Sequence, residues 1–119
     1  MHKKIYNEWL EKVRDSVLLN ELENMHNNEE EILNSFYKSL EFGTAGLRGI
    51  IGAGTNRMNI YTVGHATQGL SEYVKSVNKN GKVAIAYDCR INSELFAKKA
   101  ASVLAANGIK VYIYRELMP

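Results

Sequence analysis

The stretch VAIAYDCRINSELFAKKAASVLAANGIKVYIY, residues 83–114, decides the fold class of this 119-residue chain. It opens and closes on apolar runs, 83–87 and 109–114, that are typical of strands buried on both faces of a sheet. Between the runs, apolar residues recur at the helical period behind a cap at Asn92 or Ser93. A strand, a helix and a strand joined by short loops form a βαβ unit, which implies parallel strands with a right-handed crossover. We therefore predict an α/β fold.

Upstream of this unit, the sequence predicts a helix that begins at a cap on Asn59 and ends before a glycine. Its apolar face consists of Ile60, Val63, Thr67, Leu70, Val74 and Val77. A short strand is expected around residues 47–51.

Residues 1–41 contain no glycine and are predicted to form two helices. In the first helix, apolar residues recur at every fourth position, at Ile5, Trp9, Val13 and Val17. The second helix begins at Asn28, with Glu31 as its capping-box partner. Its apolar face consists of Ile32, Leu33, Phe36, Tyr37 and Leu40. The chain is thus predicted to divide into a helical extension, residues 1–41, and an α/β domain, residues 42–119.

Composition and charge exclude several classes of protein. The net charge of +2 is too small to favour a nucleic-acid or anionic membrane partner. The single cysteine, Cys89, has no partner for an internal disulfide, which favours a reducing compartment. No apolar run is long enough for a signal peptide or a membrane span. We therefore expect a cytoplasmic protein with no membrane or nucleic-acid partner.

Glycine and arginine concentrate in residues 42–59, a segment too long for a plain loop in a compact domain. Glycines let backbone amides approach an anion closely, and the planar guanidinium of arginine suits bidentate contact with phosphate. Arg48 and Arg57 lie in this segment, whereas Arg90 follows one predicted strand and Arg115 ends the other. A solvated surface arginine is the simpler interpretation for each one taken alone. For Arg48, which is set among glycines, a functional role is favoured.

Other polar side chains carry weaker signals. Asp88 follows the first strand of the βαβ unit, where it either orients an arginine or caps the next helix. One aspartate does not make a magnesium site, so no metal site is predicted on this chain. His65, inside a predicted helix, is expected to lie on the helix surface or to pack. Cys89 is expected to behave as a small buried hydrophobic residue.

A specific resemblance to a known family rests on the run Phe42-Gly43-Thr44-Ala45-Gly46-Leu47-Arg48-Gly49. This run resembles the opening motif of the α-D-phosphohexomutases. With the glycines and the Asn-Arg-Met-Asn run of residues 52–59, it is similar to the bacterial phosphoglucomutase and phosphopentomutase branch. Residues 83–90 resemble the strand that ends in an aspartate-x-arginine turn in the same domain, and the N-terminal helices, with Trp9, fit the extension of that branch. The resemblance covers most of the chain and is strongest over residues 42–119.

The resemblance implies a four-domain enzyme whose first domain is a three-layer α/β/α sandwich with a mixed sheet. Such an enzyme interconverts sugar 1-phosphate and sugar 6-phosphate in carbohydrate metabolism through a phosphoserine and a bisphosphate intermediate. Residue by residue, Arg48 matches the active-site arginine, and Thr44 and Gly46 join it in binding the phosphate of a phosphosugar substrate. Asp88 and Arg90 are implied to be structural residues near the site. Magnesium and glucose 1,6-bisphosphate are the implied cofactors of the full-length enzyme.

The 119 residues depart from the family pattern in what they lack. They contain no Thr-x-Ser-His-Asn-Pro type phosphoserine loop, no aspartate-rich metal loop, no sugar-specificity loop and no C-terminal phosphate loop. In the family these loops follow the point that matches Pro119. The chain is therefore expected to be an incomplete first domain that is inactive alone, binds no cofactor and self-associates through an open sheet edge. Alternatives are a stand-alone, non-catalytic module that binds phosphorylated ligands or a partner protein, and an interaction role for the helical N-terminal half.

Overall fold

The computed structural model describes residues 2–40, 42–43, 46–47, 49–87 and 92–115, with the backbone alone at 42–43 and 46–47. The elements are, in chain order, α1 (His2–Lys12), α2 (Ser16–Asn24), α3 (Glu29–Phe36), β1 (Phe42–Gly43), β2 (Gly46–Leu47), α4 (Ile60–Val77), β3 (Lys82–Tyr87), α5 (Ser93–Ala106) and β4 (Lys110–Arg115). They form two compact units, Met1–Thr62 and Val63–Pro119. The predicted domain division between residues 41 and 42 is a different one and stays a prediction.

The first 24 residues form two helices where one was predicted. The carboxylate of Asp15 accepts hydrogen bonds from the amides of Val17 and Leu18, at 3.0 and 3.1 Å, and so caps the start of α2. An aspartate in this position satisfies amides that have no partner inside a helix, which favours a new helix over continuation of the old one. The predicted apolar face is therefore wrong at its last position: Val13 is buried in the linker, whereas Val17 is 69% exposed.

The core of the first unit is aromatic at its centre. Phe36 of α3 is fully buried and forms T-shaped pairs with Tyr6 and Trp9, with ring centroids 5.8 and 5.5 Å away. Edge-to-face pairs of this kind add about 0.5–1.5 kcal/mol each beyond the burial of their surface. The Tyr6 hydroxyl donates to the carbonyl of Leu22, one of the carbonyls in the last turn of α2 that lack a partner within the helix. α1 and α2 are thus both joined to α3 through one buried cluster.

The cap predicted for α3 is confirmed. The side-chain oxygen of Asn28 accepts from the amide of Glu31 at 3.1 Å, and its side-chain nitrogen lies 3.4 Å from the Glu31 carboxylate. The apolar face predicted for this helix is partly wrong, because Leu33 is exposed inside the helix and Tyr37 is exposed just after its end at Phe36. Lys3 pairs with Glu29 in the first turn of α3, and this contact lowers the pKa of the Glu29 carboxyl.

The βαβ unit is confirmed in the second compact unit. β3 and β4 pair in parallel, in a register that sets Lys82 beside Lys110 and Tyr87 beside Arg115, with α5 between them in the chain. The predicted α/β fold class is therefore confirmed. None of the described helices is long and apolar enough to cross a membrane.

The two ends of α5 differ in how they are capped. At the start, Asn92 occupies the cap position with a positive φ of 66° but its side chain makes no capping hydrogen bond, and Ser93 is already the first helical residue. At the end, Gly108 has a φ of +78°. Its amide donates to the carbonyl of Ala105, and the amide of Ile109 donates to the carbonyl of Leu104. This pair of bonds with a left-handed glycine is the Schellman arrangement. Gly108 thus ends α5 in this way, whereas the side-chain cap predicted at Asn92 is wrong.

Burial in the second unit departs from the prediction. Residues alternate along β3 between exposed and half-buried, and Tyr112, Ile113 and Tyr114 of β4 are exposed, so the strands are not buried on both faces in the described part of the chain. The reason is that burial depends on what lies over each face, and a strand's own composition cannot supply that cover.

The face that α4 buries is narrower than predicted. Val63, Gly64, Thr67 and Ser71 are its buried residues. A Cβ on Gly64 would lie 2.9 Å from Cε of Lys99 on α5, so the Lys99 side chain lies against Gly64. Leu70 and Val77, which were predicted to face inward, are exposed.

Replacing Tyr6 with phenylalanine is expected to lower the free energy of unfolding of the 119-residue chain by about 1 kcal/mol at neutral pH, because the Leu22 carbonyl loses its donor. Burial, with a smaller contribution from Glu23, raises the pKa of the Tyr6 phenol. A raised pKa in the folded state stabilises the fold below the pKa of the unfolded chain, near 10, and that stabilisation disappears as the pH rises through the folded value.

The difference between wild type and Tyr6→Phe should therefore shrink above about pH 10. Urea unfolding at pH 7 and at pH 10.5 measures it, with Tyr112→Phe, an exposed tyrosine, as the control. A difference that stays constant or grows with pH would contradict the assignment.

Candidate functional site

The resemblance motif coincides with a small antiparallel hairpin. β1 and β2 pair through Phe42 with Leu47 and Gly43 with Gly46, so residues 44 and 45 connect the two strands. Of the predicted site residues, the structure describes the backbone of Gly46. Thr44, Arg48, Asp88 and Arg90 lie outside the described residues, and their roles stay predictions. The strand expected around residues 47–51 is shorter than predicted and begins earlier, at Gly46.

The chain segment that enters the hairpin is held by one threonine. The Thr55 hydroxyl donates to the carbonyl of Lys38 at 2.8 Å, and the amide of Leu40 donates to the Thr55 carbonyl at 2.9 Å. Both partners lie between the end of α3 and the start of β1. The path of the backbone into the hairpin is therefore fixed at two points.

The chain segment that leaves the hairpin is held by Met58, three residues after Thr55. The amide of Met58 donates to the carbonyl of Ile50 at 2.7 Å, and the amide of Gly52 donates to the carbonyl of Met58 at 3.0 Å. Gly49 has a packing role here, since a Cβ on it would lie 2.8 Å from Cδ2 of Leu40. The entering and leaving segments thus approach each other closely where the hairpin begins and ends.

The loop that contains Thr55 and Met58 is also attached to the last turn of α3. The backbone amide of Asn56 donates to the carbonyl of Ser35 at 2.9 Å, and its side-chain nitrogen donates to the carbonyl of Asn34 at 3.1 Å. Nη1 of Arg57 donates to Asn34 O at 3.2 Å and to Asn56 O at 3.0 Å. The last carbonyls of a helix have no partner inside it, and a cation is favoured at that end of the helix dipole. Nη1 of Arg57 therefore holds the end of a helix.

Asn59 closes the loop and starts α4, as the sequence predicted. Its side-chain oxygen accepts from the amides of Tyr61 and Thr62, both at 3.0 Å, which caps the helix. Its side-chain nitrogen donates to the carbonyls of Gly52 and Gly54, at 2.9 and 3.1 Å. The residue is 3% exposed, so every one of these bonds lies in a site with little water to replace it.

Tyr61 ties the start of α4 to the N-terminal helices. Its ring lies edge-on to Trp9, with centroids 5.8 Å apart, and its hydroxyl accepts from the amides of Arg14 and Asp15 at 3.0 and 3.2 Å. The corner between α1 and α2 is therefore bonded to the residue that follows the loop. The sequence analysis placed Trp9 on an apolar helix face and did not predict its partner Tyr61.

A family model described as phosphoglucomutase/phosphomannomutase, alpha/beta/alpha domain I, matches residues 39–119. The chain belongs to this family. The match includes the hairpin, the glycine-rich loop and the βαβ unit, so the resemblance stated from the 42–49 motif is confirmed.

Phosphohexomutase relatives of this chain come from bacteria and animals. It is 38% identical to a phosphoglucomutase of Staphylococcus saprophyticus, over 88% of this chain and 19% of that protein. It is 33% identical to a phosphopentomutase of Homo sapiens, over 94% of this chain and 20% of that protein. The chain thus spans about a fifth of the length of these curated relatives. No solved structure gives a significant match.

A magnesium ion, which the phosphohexomutase resemblance implies, has no donor set in the described part of this chain. Those residues contain no group of three or more histidine, cysteine, aspartate or glutamate side chains that could hold a metal ion. His65 was predicted either to lie on the helix surface or to pack, and it lies exposed on the surface of α4.

Gly54 is the glycine on which the loop's geometry depends most. Its φ is +127°, and a Cβ would lie 2.5 Å from the carbonyl oxygen of Ser35. We expect Gly54→Ala to lower the free energy of unfolding by about 2–4 kcal/mol, through backbone strain and the clash together. Gly69→Ala is the control: it lies inside α4 with open space around it and should raise stability by about 0.5–1 kcal/mol. Urea unfolding of both variants checks this, and a near-neutral Gly54→Ala would contradict the contact with Ser35.

Proposed function

We propose that this chain is the N-terminal part of a phosphoglucomutase-type enzyme that interconverts sugar 1-phosphate and sugar 6-phosphate. The observation that carries the proposal is the coincidence of the 42–49 motif with a hairpin whose entering and leaving segments are both held by hydrogen bonds. The printed names of the curated relatives, phosphoglucomutase and phosphopentomutase, support the same class of reaction. Such an enzyme is an isomerase of carbohydrate metabolism, and we expect it to act in the cytoplasm.

The hairpin is suited to an anionic substrate by its composition. Gly43 and Gly46 face each other across it, so no side chain at either position stands between the backbone and an approaching phosphate. Residues 42–119 contain ten lysines and arginines against four aspartates and glutamates, whereas the helical extension is acidic. A positive domain attracts a phosphorylated sugar and raises its local concentration.

We assign the central role to Arg48, which follows β2 directly in the sequence. Phosphoryl transfer depends on positioning and on neutralising the charge that spreads over the transferred group. A guanidinium can meet two phosphate oxygens at once, and Thr44 and Gly46 would contribute a hydroxyl and a backbone amide beside it. Asp88 and Arg90 are proposed as structural residues near the site, and Asp88 would orient an arginine or cap the next helix.

The rest of the machinery is proposed to lie outside these 119 residues. The phosphoserine and the ligands of magnesium would come from other parts of the enzyme, and glucose 1,6-bisphosphate would act as its cofactor. When bound, magnesium would neutralise charge on the transferring phosphoryl group. What this chain supplies is the arginine and the backbone that hold the phosphate.

In the full-length enzyme, Arg48→Lys is expected to lower kcat by roughly 10²-fold or more, because an ammonium cannot make the forked contact of a guanidinium. Arg14→Lys is the matched control, since Arg14 lies exposed in the α1–α2 linker. Steady-state kinetics with glucose 1-phosphate measures both variants. A kcat for Arg48→Lys within about twofold of the control would remove Arg48 from the active site.

A polypeptide of these 119 residues is expected to show no mutase turnover, since it has no serine in the family's phosphoserine motif. A coupled assay with magnesium, glucose 1,6-bisphosphate and glucose 1-phosphate checks this, with the full-length enzyme as the positive control. Turnover by the purified 119-residue chain would mean that its own residues carry the nucleophile.

A further inference from the structure

Residues 55–58 bond to three different parts of the first unit, and we name them the clasp. They contact the segment that enters the hairpin, the segment that leaves it and the last turn of α3. We infer that the clasp sets the position of the hairpin, and that Thr55 and Arg57 are positioning residues and not ligands of the substrate. The part of this inference that concerns the reaction rests on the proposed function, whereas the part that concerns the hairpin does not.

Thr55 is the residue that couples the clasp to the entering segment. Its two hydrogen bonds, to Lys38 O and from Leu40 N, lie on either side of one residue, so they fix both the position and the direction of the backbone there. The first of them depends on the side chain, and the second on the backbone alone. A substitution can therefore remove one hydrogen bond and leave the other.

Met58 couples the clasp to the leaving segment in the same way. Its amide and its carbonyl bond to Ile50 and Gly52, and a single β-bridge joins it to Ile51. Its side chain also lies close to Gly49, where a Cβ would be 3.4 Å from Cγ of Met58. The distance between Thr55 and Met58 along the clasp therefore limits the distance between the two segments that carry the hairpin.

Arg57 joins the clasp to the core. Its Nη1 bonds to the carbonyl of Asn34, and α3 is fixed in the core through the buried side chains of Ile32 and Phe36. A guanidinium used in this way holds a helix end, a role that the residue pattern of 42–59 did not indicate. The hairpin is thus connected to the core through hydrogen bonds at the clasp.

Precise placement matters because a catalytic group displaced by about 1 Å can lose on the order of 10²-fold in rate. A clasp that holds both segments would keep the residues after β2 in place before the substrate arrives. Loosening one attachment should therefore make the hairpin more mobile while leaving the helices intact.

Amide hydrogen exchange of the 119-residue chain tests the structural half of this inference. Thr55→Val has nearly the same shape as threonine but cannot donate to Lys38 O, and Thr55→Ser keeps the hydroxyl. We expect Thr55→Val to speed exchange of amides in residues 40–50 by about threefold to tenfold, with α4 amides unchanged and Thr55→Ser close to wild type. Equal exchange in Thr55→Val and wild type, or equal acceleration in both variants, would overturn the inference.

Kinetics of the full-length protein test the other half. If the clasp positions the hairpin for the reaction, Thr55→Val should lower kcat by about tenfold with KM changed less than about twofold, and Thr55→Ser should restore kcat. A wild-type kcat in Thr55→Val, together with faster hairpin exchange, would overturn the positioning role and leave the proposed function standing. Absence of mutase activity in the wild-type protein would overturn the proposed function and the positioning role in the reaction. The hydrogen-exchange result would then still test whether the clasp sets the position of the hairpin.

Discussion

The carbonyl groups in the last turn of α3 need hydrogen-bond donors, and the first unit depends on how they are supplied. Ser35 is buried, and a buried carbonyl without a donor costs about 1–3 kcal/mol, whereas Asn34 is exposed and its hydrogen bonds add to the attachment. The donors come from Asn56 and Arg57, more than 20 residues further along the chain. This attachment brings the glycine-rich loop onto the helix end and places the hairpin between two held segments.

The glycines of this segment have different uses in the structure. Gly54 is required where the backbone approaches the Ser35 carbonyl, whereas Gly49 leaves room for the Leu40 side chain where the entering and leaving segments of the hairpin meet. The paired glycines of the hairpin are the ones left with a backbone that can face an anion. A glycine-rich sequence therefore combines a structural requirement at its C-terminal half with a candidate binding surface at its N-terminal half.

Local signals in the sequence predicted local structure well. Asn28 and Asn59 are caps because their side chains reach amides two or three residues away, and the two apolar runs are the paired strands β3 and β4. The division between α1 and α2 was missed because the apolar period runs past Asp15, whose capping bonds are a competing local preference. Burial on both strand faces was wrong because cover comes from elements distant in sequence.

The sequence motif of the candidate site could be predicted, but the contacts that hold the motif in place could not. The 42–49 motif was visible as a run of residues, and the family match agrees with it. The role of Arg57 depends on a partner 23 residues away, and that of Tyr61 on amides at Arg14 and Asp15, so no spacing rule could find them. Thr44, Arg48, Asp88 and Arg90 keep their predicted roles as proposals.

A crystal structure of the full-length protein with bound glucose 1-phosphate would test the central claim most directly. The claim is that one loop separates two tasks, with residues 42–49 meeting the phosphate and residues 55–58 holding them in place. The expected result is a phosphate oxygen within about 3 Å of the Arg48 guanidinium, while Nη1 of Arg57 remains on the carbonyl of Asn34. A phosphate bound by Arg57, or bound away from residues 42–49, would contradict it.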